Sequence, residues 1–481
     1  SMPVVKVPSL SPDVSNAQGV SYSVGMKDLA EFNSDAKLAV ERIIQDYENW
    51  ILDQEQKIKN LDSAFQNIAV GHIKECRVFL SNIKSGWALL SDDADVQHCL
   101  RDASSAMNQQ RVAYGADTRE VVYESKTKKY SVQGQNPHAV ERDQARWRPF
   151  QIAFILANLV RASAKEEIED SAVDVIWMPT GGGKTEAYLG LSAFVILWER
   201  RLQLIGVRKP SPSGTTKVFM RYTYRLLTVQ QLTRAASLIC ALEIIREKNP
   251  DRYGSGEVRI GCWLGGKTTP NTRKQAVSRY KTAKRLPNKK KAEFVLTKCP
   301  WCGARLAEVY DGQPVGYRIV KVLKEDRVMI HCPDENCHFR SRTVKNEKGK
   351  VLDRGIPLFD TDEDLYEFPP DFVVGTVDKV AMMAWKPMSG RLFGMSDGVR
   401  KWSPPALLIQ DELHLISGSL GSIDASFETM IEELCTNDGG RKPLIVASTA
   451  TTKNYVDQIA NLYARSSRII PPPGLDIKDS F

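Results

Sequence analysis

The run Met178-Pro-Thr-Gly-Gly-Gly-Lys-Thr185 constrains this chain more than any other segment. Val173–Met178 leads into it as a short apolar strand, and Glu186–Arg200 follows as an apolar helix. Glycines in a strand-to-helix turn let consecutive backbone N–H groups converge on an anion, and the helix N-terminus adds its positive dipole. The pattern is a Walker A loop in which Met178 takes the first glycine position, while the core Thr180–Thr185 is intact. Thr180, Gly181, Gly182 and Gly183 are therefore expected around the phosphates of ATP, with Lys184 on the β- and γ-phosphates and Thr185 on Mg2+. A glycine-rich turn with an incidental Lys-Thr is the competing reading, and the strand–loop–helix context argues against it.

The neighbouring segments repeat this strand–helix rhythm. Val218–Tyr222, Glu257–Trp263, Asp371–Thr376, Ala406–Gln410 and Leu444–Thr449 read as strands and Val229–Arg246 as a helix, which implies a parallel, doubly wound sheet. Ala406–Gln410 ends in Asp411 and Glu412. At the carboxyl edge of such a sheet Asp411 faces the phosphate loop and can hold Mg2+, while Glu412 can orient and deprotonate the attacking water. His414 is placed to relay between nucleotide and coupling motif.

A chain of 481 residues implies two to four domains. Its longest apolar runs, such as Ile152–Val160, are far short of a membrane span, and no secretory signal opens it, so a cytoplasmic protein with no membrane contact is expected. Ser1-Met2 reads as a remnant of tag removal. Of the net charge of +8, the densest cluster is Arg279–Lys291, either a solvated loop or an electrostatic footprint for phosphate backbones. Nine cysteines include two close pairs. Cys299-x2-Cys302 and Cys332-x4-Cys337, separated by 29 residues, have the grammar of a zinc ribbon, with each first Cys followed by Pro and Gly303 after the first pair. His331 and His338 adjoin the second pair and could substitute, but four thiolates complete a closed, structural Zn2+ site.

The expected organisation is an extended arm over 1–26, an α-helical domain and linker over 27–140, and a sheet domain over 141–269 and 365–481 interrupted by a cysteine-bearing insertion over 270–364. In the helical part Ile44, Tyr47, Ile51, Ile58, Leu61, Phe65 and Ile68 predict one long amphipathic helix, interrupted on its apolar face by Gln54. Residues 115–140 read as linker or loop.

Taken together in chain order, these motifs resemble the superfamily 2 helicases of the Asp-Glu-x-His type. Arg146-Trp-Arg-Pro-Phe-Gln151 is similar to the family's adenine-reading segment, which implies that Gln151 contacts the base. Phe219–Gln231 and Leu264-Gly265-Gly266 resemble motif Ia and its following glycine pair, implying that Arg225 touches the nucleic-acid backbone. Pro370–Lys379 resembles motif Ib, implying a phosphate contact from Thr376. Ser448-Thr-Ala-Thr451 corresponds to the Ser-Ala-Thr coupling motif, with Thr449 and Thr451 as its hydroxyls. More narrowly, Trp177–Gly190 and Asp411–Gly418 resemble the helicase-like subunit of the DISARM bacterial phage-defence system, as does Pro471–Asp476.

The resemblance implies an α/β fold: a RecA-like P-loop parallel sheet forming the first helicase lobe, with an N-terminal α-helical domain and an inserted zinc-ribbon-like subdomain. It also implies an ATP-dependent DNA helicase or translocase in anti-phage defence, acting on single-stranded DNA or DNA with an overhang, with a DrmB-like partner subunit. Motifs IV to VI do not occur before Phe481, so the expectation is the amino-terminal half of such an enzyme, binding ATP better than it hydrolyses it. An ATP-gated nucleic-acid scaffold and an RNA helicase remain open, since backbone contacts do not declare the sugar.

Overall fold

The computed structural model describes residues 22–140, 142–178, 181–222, 225–322, 324–345, 351–416, 418–449 and 455–476, with backbone only at 225–230, 378 and 418–424. The chain divides into two compact units, one holding the residues up to Ser105, Gln144–Trp198 and the chain from Ala406, the other Ala106–Asp143 and Glu199–Pro405.

Eight strands are central: β1 (Val173–Trp177), β2 (Val218–Tyr222), β3 (Ile260–Trp263), β4 (Leu358–Phe359), β5 (Phe372–Thr376), β6 (Leu407–Gln410), β7 (Leu444–Thr449) and β8 (Ser467–Ile470). In sheet order they run β4-β3-β5-β2 in the second unit and β6-β7-β1-β8 in the first. In the first unit β6 pairs with β7, β7 with β1 and β1 with β8, all parallel. In the second, β2, β5, β3 and β4 pair successively, again parallel. Burial on both faces explains the continuous apolar runs of these strands. The fold is thus the expected α/β parallel sheet, joined to N-terminal helices and to a subdomain carrying four clustered cysteines. Every strand read from the sequence is present. Two were not anticipated, β4 and β8, the two outermost in the sheet order and only 2 and 4 residues long.

One residue in β1 breaks its apolar run. Asp174 is buried, and Arg161 meets it at 2.8 Å and Arg468 at 3.1 Å, so its charge is compensated where water cannot reach it.

The N-terminal helices depart from expectation. In place of one helix through Ile68 there are two, α1 (Ser34–Ile58) and α2 (Ser63–Asp92), capped at their starts by Asn33 and Asp62, and α3 (Ala94–Tyr114) follows them. The buried face of α1 is Ala36, Val40, Ile43, Tyr47, Ile51 and Gln54, so Gln54 belongs to the seam it was read as interrupting. Beyond the break, Phe65 and Ile68 are exposed, because the new cap resets the helical phase. Gly86 of α2 lets the backbone approach Leu156 of α4 (Pro149–Ser163), where a Cβ would strike the carbonyl.

Among the described residues no helix is long and apolar enough to cross a membrane.

Candidate functional site

In the first unit the glycine-rich loop expected to hold phosphate lies between β1 and α5 (Lys184–Leu204). Gly181 and Gly183 have φ of +84° and +94°, conformations that a side chain disfavours. A Cβ on Gly183 would lie 2.5 Å from Gln151 Nε2. The loop's carbonyls are turned towards α4: Arg148 donates to Gly182 O at 2.7 Å and Gln151 to Gly183 O at 2.9 Å. Across a planar trans peptide the following N–H groups, of Gly183 and Lys184, point the opposite way, as anion capture needs. Gln151 also accepts from the Arg148 backbone N–H at 2.9 Å, so both ends of its buried amide brace the loop and the start of α4.

Lys184 Nζ donates to the Met178 carbonyl at 2.6 Å. Burial holds its pKa below the usual lysine range, against the opposing pull of Glu412 and Asp411. Asp411, at the end of β6, is buried and receives three donors: the Tyr188 hydroxyl at 3.1 Å, the Glu412 backbone N–H at 3.1 Å and the Ser448 hydroxyl. The Tyr188 oxygen is also 3.1 Å from Thr185 Oγ1. Tyr188 and Ser448 were not singled out from the sequence, although Tyr188 follows Thr185 at the i,i+3 spacing that places two residues on one helix face.

Glu412 adopts left-handed backbone, φ 51°, which is uncommon for a residue with a side chain and is found at functional sites. Its carboxylate lies 3.3 Å from His414 Nδ1, which in turn lies 3.5 Å from Thr449 Oγ1. Gln151, Gly181, Gly182, Gly183, Lys184, Thr185, Asp411, Glu412, His414 and Thr449 are therefore all in the first unit, the carboxylates, His414 and Thr449 linked in sequence. Thr180 and Thr451 fall outside the described residues.

In the second unit α6 (Arg225–Lys248) follows β2, with the Arg225 side chain outside the description. Thr376 closes β5; its buried hydroxyl has no hydrogen-bond partner among the described residues.

The four cysteines of this unit meet. Cys299, Cys302, Cys332 and Cys337 are all buried, with their sulfurs within 4.8 Å of one another and Cys302 3.4 Å from Cys332. A tetrahedron of Zn–S bonds near 2.3 Å sets its sulfurs roughly 3.8 Å apart, so the donor set fits. Burial pushes the Cys299 thiol up, while hydrogen bonds, first from Cys299, hold Cys302 far down. Drawing the other three into the thiolate form as well takes a cation between them. His331 and His338 turn elsewhere, to the Cys332 carbonyl at 3.2 Å and to Glu247 at 2.8 Å.

The stretch 115–140, expected as linker, wraps this cluster. It carries a hairpin, Val121–Glu124 against Lys129–Val132. The Arg119 N–H donates to Gly303 O at 2.9 Å, and its guanidinium meets Asp334 at 2.7 Å. His138 stacks on Trp301 at 3.7 Å, its pKa pushed down to about 4 by burial, so it stacks as the neutral ring. Gly303 has φ +77° and sits 2.5 Å, at the place of a Cβ, from Asp117 O, which admits no side chain. These partners lie more than 150 residues apart and leave no local sequence signal.

With this geometry in hand, comparison with known proteins adds a relative. The chain is 32% identical over 472 aligned residues, 90% of its length, to the DISARM protein DrmA of Bacillus paralicheniformis. It is similar to DrmA. It spans 39% of the length of that relative. No family model matches. Two crystal structures of the DUF1998 helicase MrfA, one bound to DNA and the other to DNA and AMPPNP, overlap with TM-scores of 0.34 and 0.32 at 12% identity. They cover 68% and 69% of this chain and 27% of theirs. An overlap that loose decides nothing about function.

Proposed function

We propose that this chain is the ATP-binding amino-terminal half of a DNA helicase or translocase that acts in bacterial anti-phage defence. The observation that carries the reading is the Tyr188 hydroxyl, 3.1 Å from both Thr185 Oγ1 and Asp411 Oδ2. One hydrogen-bonding group thus joins the loop threonine to the strand-end aspartate, the two side chains that a nucleotide-bound Mg2+ requires. Similarity to DrmA over 90% of the chain supports the defence context.

On this reading the N–H groups of Gly183 and Lys184 bind phosphate oxygens, and Lys184 exchanges the Met178 carbonyl for the β- and γ-phosphates. Thr185 and Asp411 would hold Mg2+, which would supply positive charge for the phosphoryl oxygens. Glu412 aligns a water with the γ-phosphorus and takes its proton as the bond to the leaving oxygen breaks. His414 connects Glu412 to Thr449, so a shift at the γ-phosphate position is felt in the coupling segment. Gln151, already tied to the loop, reads the base by exchanging one of its partners. Arg225 and Thr376 meet the DNA backbone, Cys299, Cys302, Cys332 and Cys337 hold a structural Zn2+, and a DrmB-like subunit is the partner.

The deciding experiment is ATP turnover by the full-length protein and its partner, with single-stranded DNA, duplex DNA or RNA added. Stimulation by DNA is expected. ATP and DNA binding without stimulated turnover would favour a gated scaffold, and stimulation by RNA alone an RNA helicase.

Two substitutions probe the chemistry within this assay. Glu412→Gln is expected to keep ATP affinity within about twofold and lower turnover by at least about a hundredfold, since proton transfer from a positioned water is worth roughly that much. Unchanged turnover would remove Glu412 from the mechanism. Tyr188→Phe is expected to raise the Mg2+ concentration that half-saturates ATP binding about fivefold, the effect of losing one hydrogen bond of roughly 1 kcal/mol. A magnesium titration with no displacement would show that Tyr188 only packs.

A further inference from the structure

We propose that Trp385 is a stacking platform for an unpaired nucleobase, held beside a small cavity next to Trp263 at the end of β3. The proposal rests on the DNA-directed reading above and adds a contact that none of the helicase-like motifs contains.

The segment after β5 exposes an unusual amount of apolar surface. Trp385 is 74% exposed, and Met382 and Met388, three residues to either side, are 50% and 53% exposed. Single exposed apolar side chains are ordinary, but three within seven residues, centred on a tryptophan, form a patch. The backbone beneath is tied down. Trp385 N–H donates to Met382 O at 3.2 Å and Lys386 N–H to Met383 O at 2.9 Å, while the next turn, Pro387–Phe393, buries Ser389, Leu392 and Phe393. The indole is therefore presented on a fixed support.

Its chain neighbours Met382, Met383 and Lys386 line a cavity of about 210 Å3, together with Asn271, Asp362 and Lys379. That is smaller than the roughly 300–1,000 Å3 of ordinary small-molecule pockets, and suits one planar group better than a whole nucleotide. Asp362 is 2% exposed, and its Oδ1 has no hydrogen-bond partner among the described residues. Its other oxygen is held by Lys379 Nζ, so Oδ1 is left to accept the N–H of a base edge. Exposed Lys386 adds positive charge for a phosphate backbone. Stacking on an aromatic face with lysine alongside is how single strands are held without regard to sequence.

The test uses the intact protein, a labelled single strand of mixed sequence, and the same sequence as duplex. Trp385→Ala should weaken single-strand binding about tenfold, spare the duplex and leave the salt slope unchanged, because no charge is removed. Trp385→Phe should recover much of the loss. Lys386→Ala should instead reduce the salt slope by about one unit. Equal losses on both DNAs, or no loss on a single strand that the parent protein binds, would overturn the stacking role and leave the DNA-directed reading intact. An effect of Trp385→Ala confined to association with a protein partner would overturn it too, reassigning the patch to protein docking. A parent protein that binds neither DNA would overturn both readings.

Discussion

Chelating zinc, or replacing Cys302 with Ser, is expected to unfold the cysteine subdomain while ATP affinity stays within about twofold. Four buried sulfurs within 4.8 Å of one another, with the Arg119 guanidinium beside Cys302 alone, cannot all ionise without a further cation. Structural zinc of this kind carries an apparent binding free energy of roughly 10–16 kcal/mol, which is folding free energy for the segment around it. Individual contacts around the knuckles, such as the Arg119 pair with Asp334 and the stack of His138 on Trp301, are each worth about 1 kcal/mol, well below that binding free energy. Limited proteolysis should then cut between Cys299 and Cys337 and within 115–140, since both stretches share this support. The phosphate loop belongs to the first unit, which has its own strands and helices. Elemental analysis should find one zinc per chain, and protein purified under reducing conditions without stoichiometric metal would defeat the assignment. Loss of ATP binding on chelation would show that the subdomain supports the loop.

Lys184→Ala is expected to weaken ATP binding by roughly 10- to 100-fold, the worth of a hydrogen bond to a charged group, with thermal stability little changed. The lysine donates to the Met178 carbonyl at 2.6 Å, and losing a hydrogen bond of this kind costs the folded protein about 1 kcal/mol. Burial already disfavours its charge, and a phosphate arriving beside it supplies the counter-charge that Glu412 and Asp411 provide only in part. Calorimetric titration with a non-hydrolysable ATP analogue would measure the change. Undiminished affinity in a folded variant would remove the loop from nucleotide binding.

Two kinds of information were legible at different levels. Strands buried on both faces announce themselves as apolar runs, so β1, β2, β3, β5, β6 and β7 could be read directly; β4 and β8, short and outermost, could not. The break between α1 and α2 was hidden because apolar residues continue past Lys59 with nearly the right spacing. Only the Asp62 cap and the exposure of Phe65 and Ile68 reveal a second helix in a new phase.

The site divides in the same way. Residue types and spacing by themselves singled out the glycine-rich loop, the strand-end carboxylates and the two cysteine pairs, because each is a local pattern whose proposed chemistry needs those side chains within a few positions. Tertiary structure alone decided which groups reach across. Tyr188 and Ser448 close on Asp411 from a helix and a neighbouring strand, Gln151 and Arg148 turn the loop's carbonyls away from its mouth, and 115–140 folds onto the cysteines. These contacts join residues brought together by sheet order and chain crossover, and a pairing set by topology has no periodicity along the chain from which it could be read.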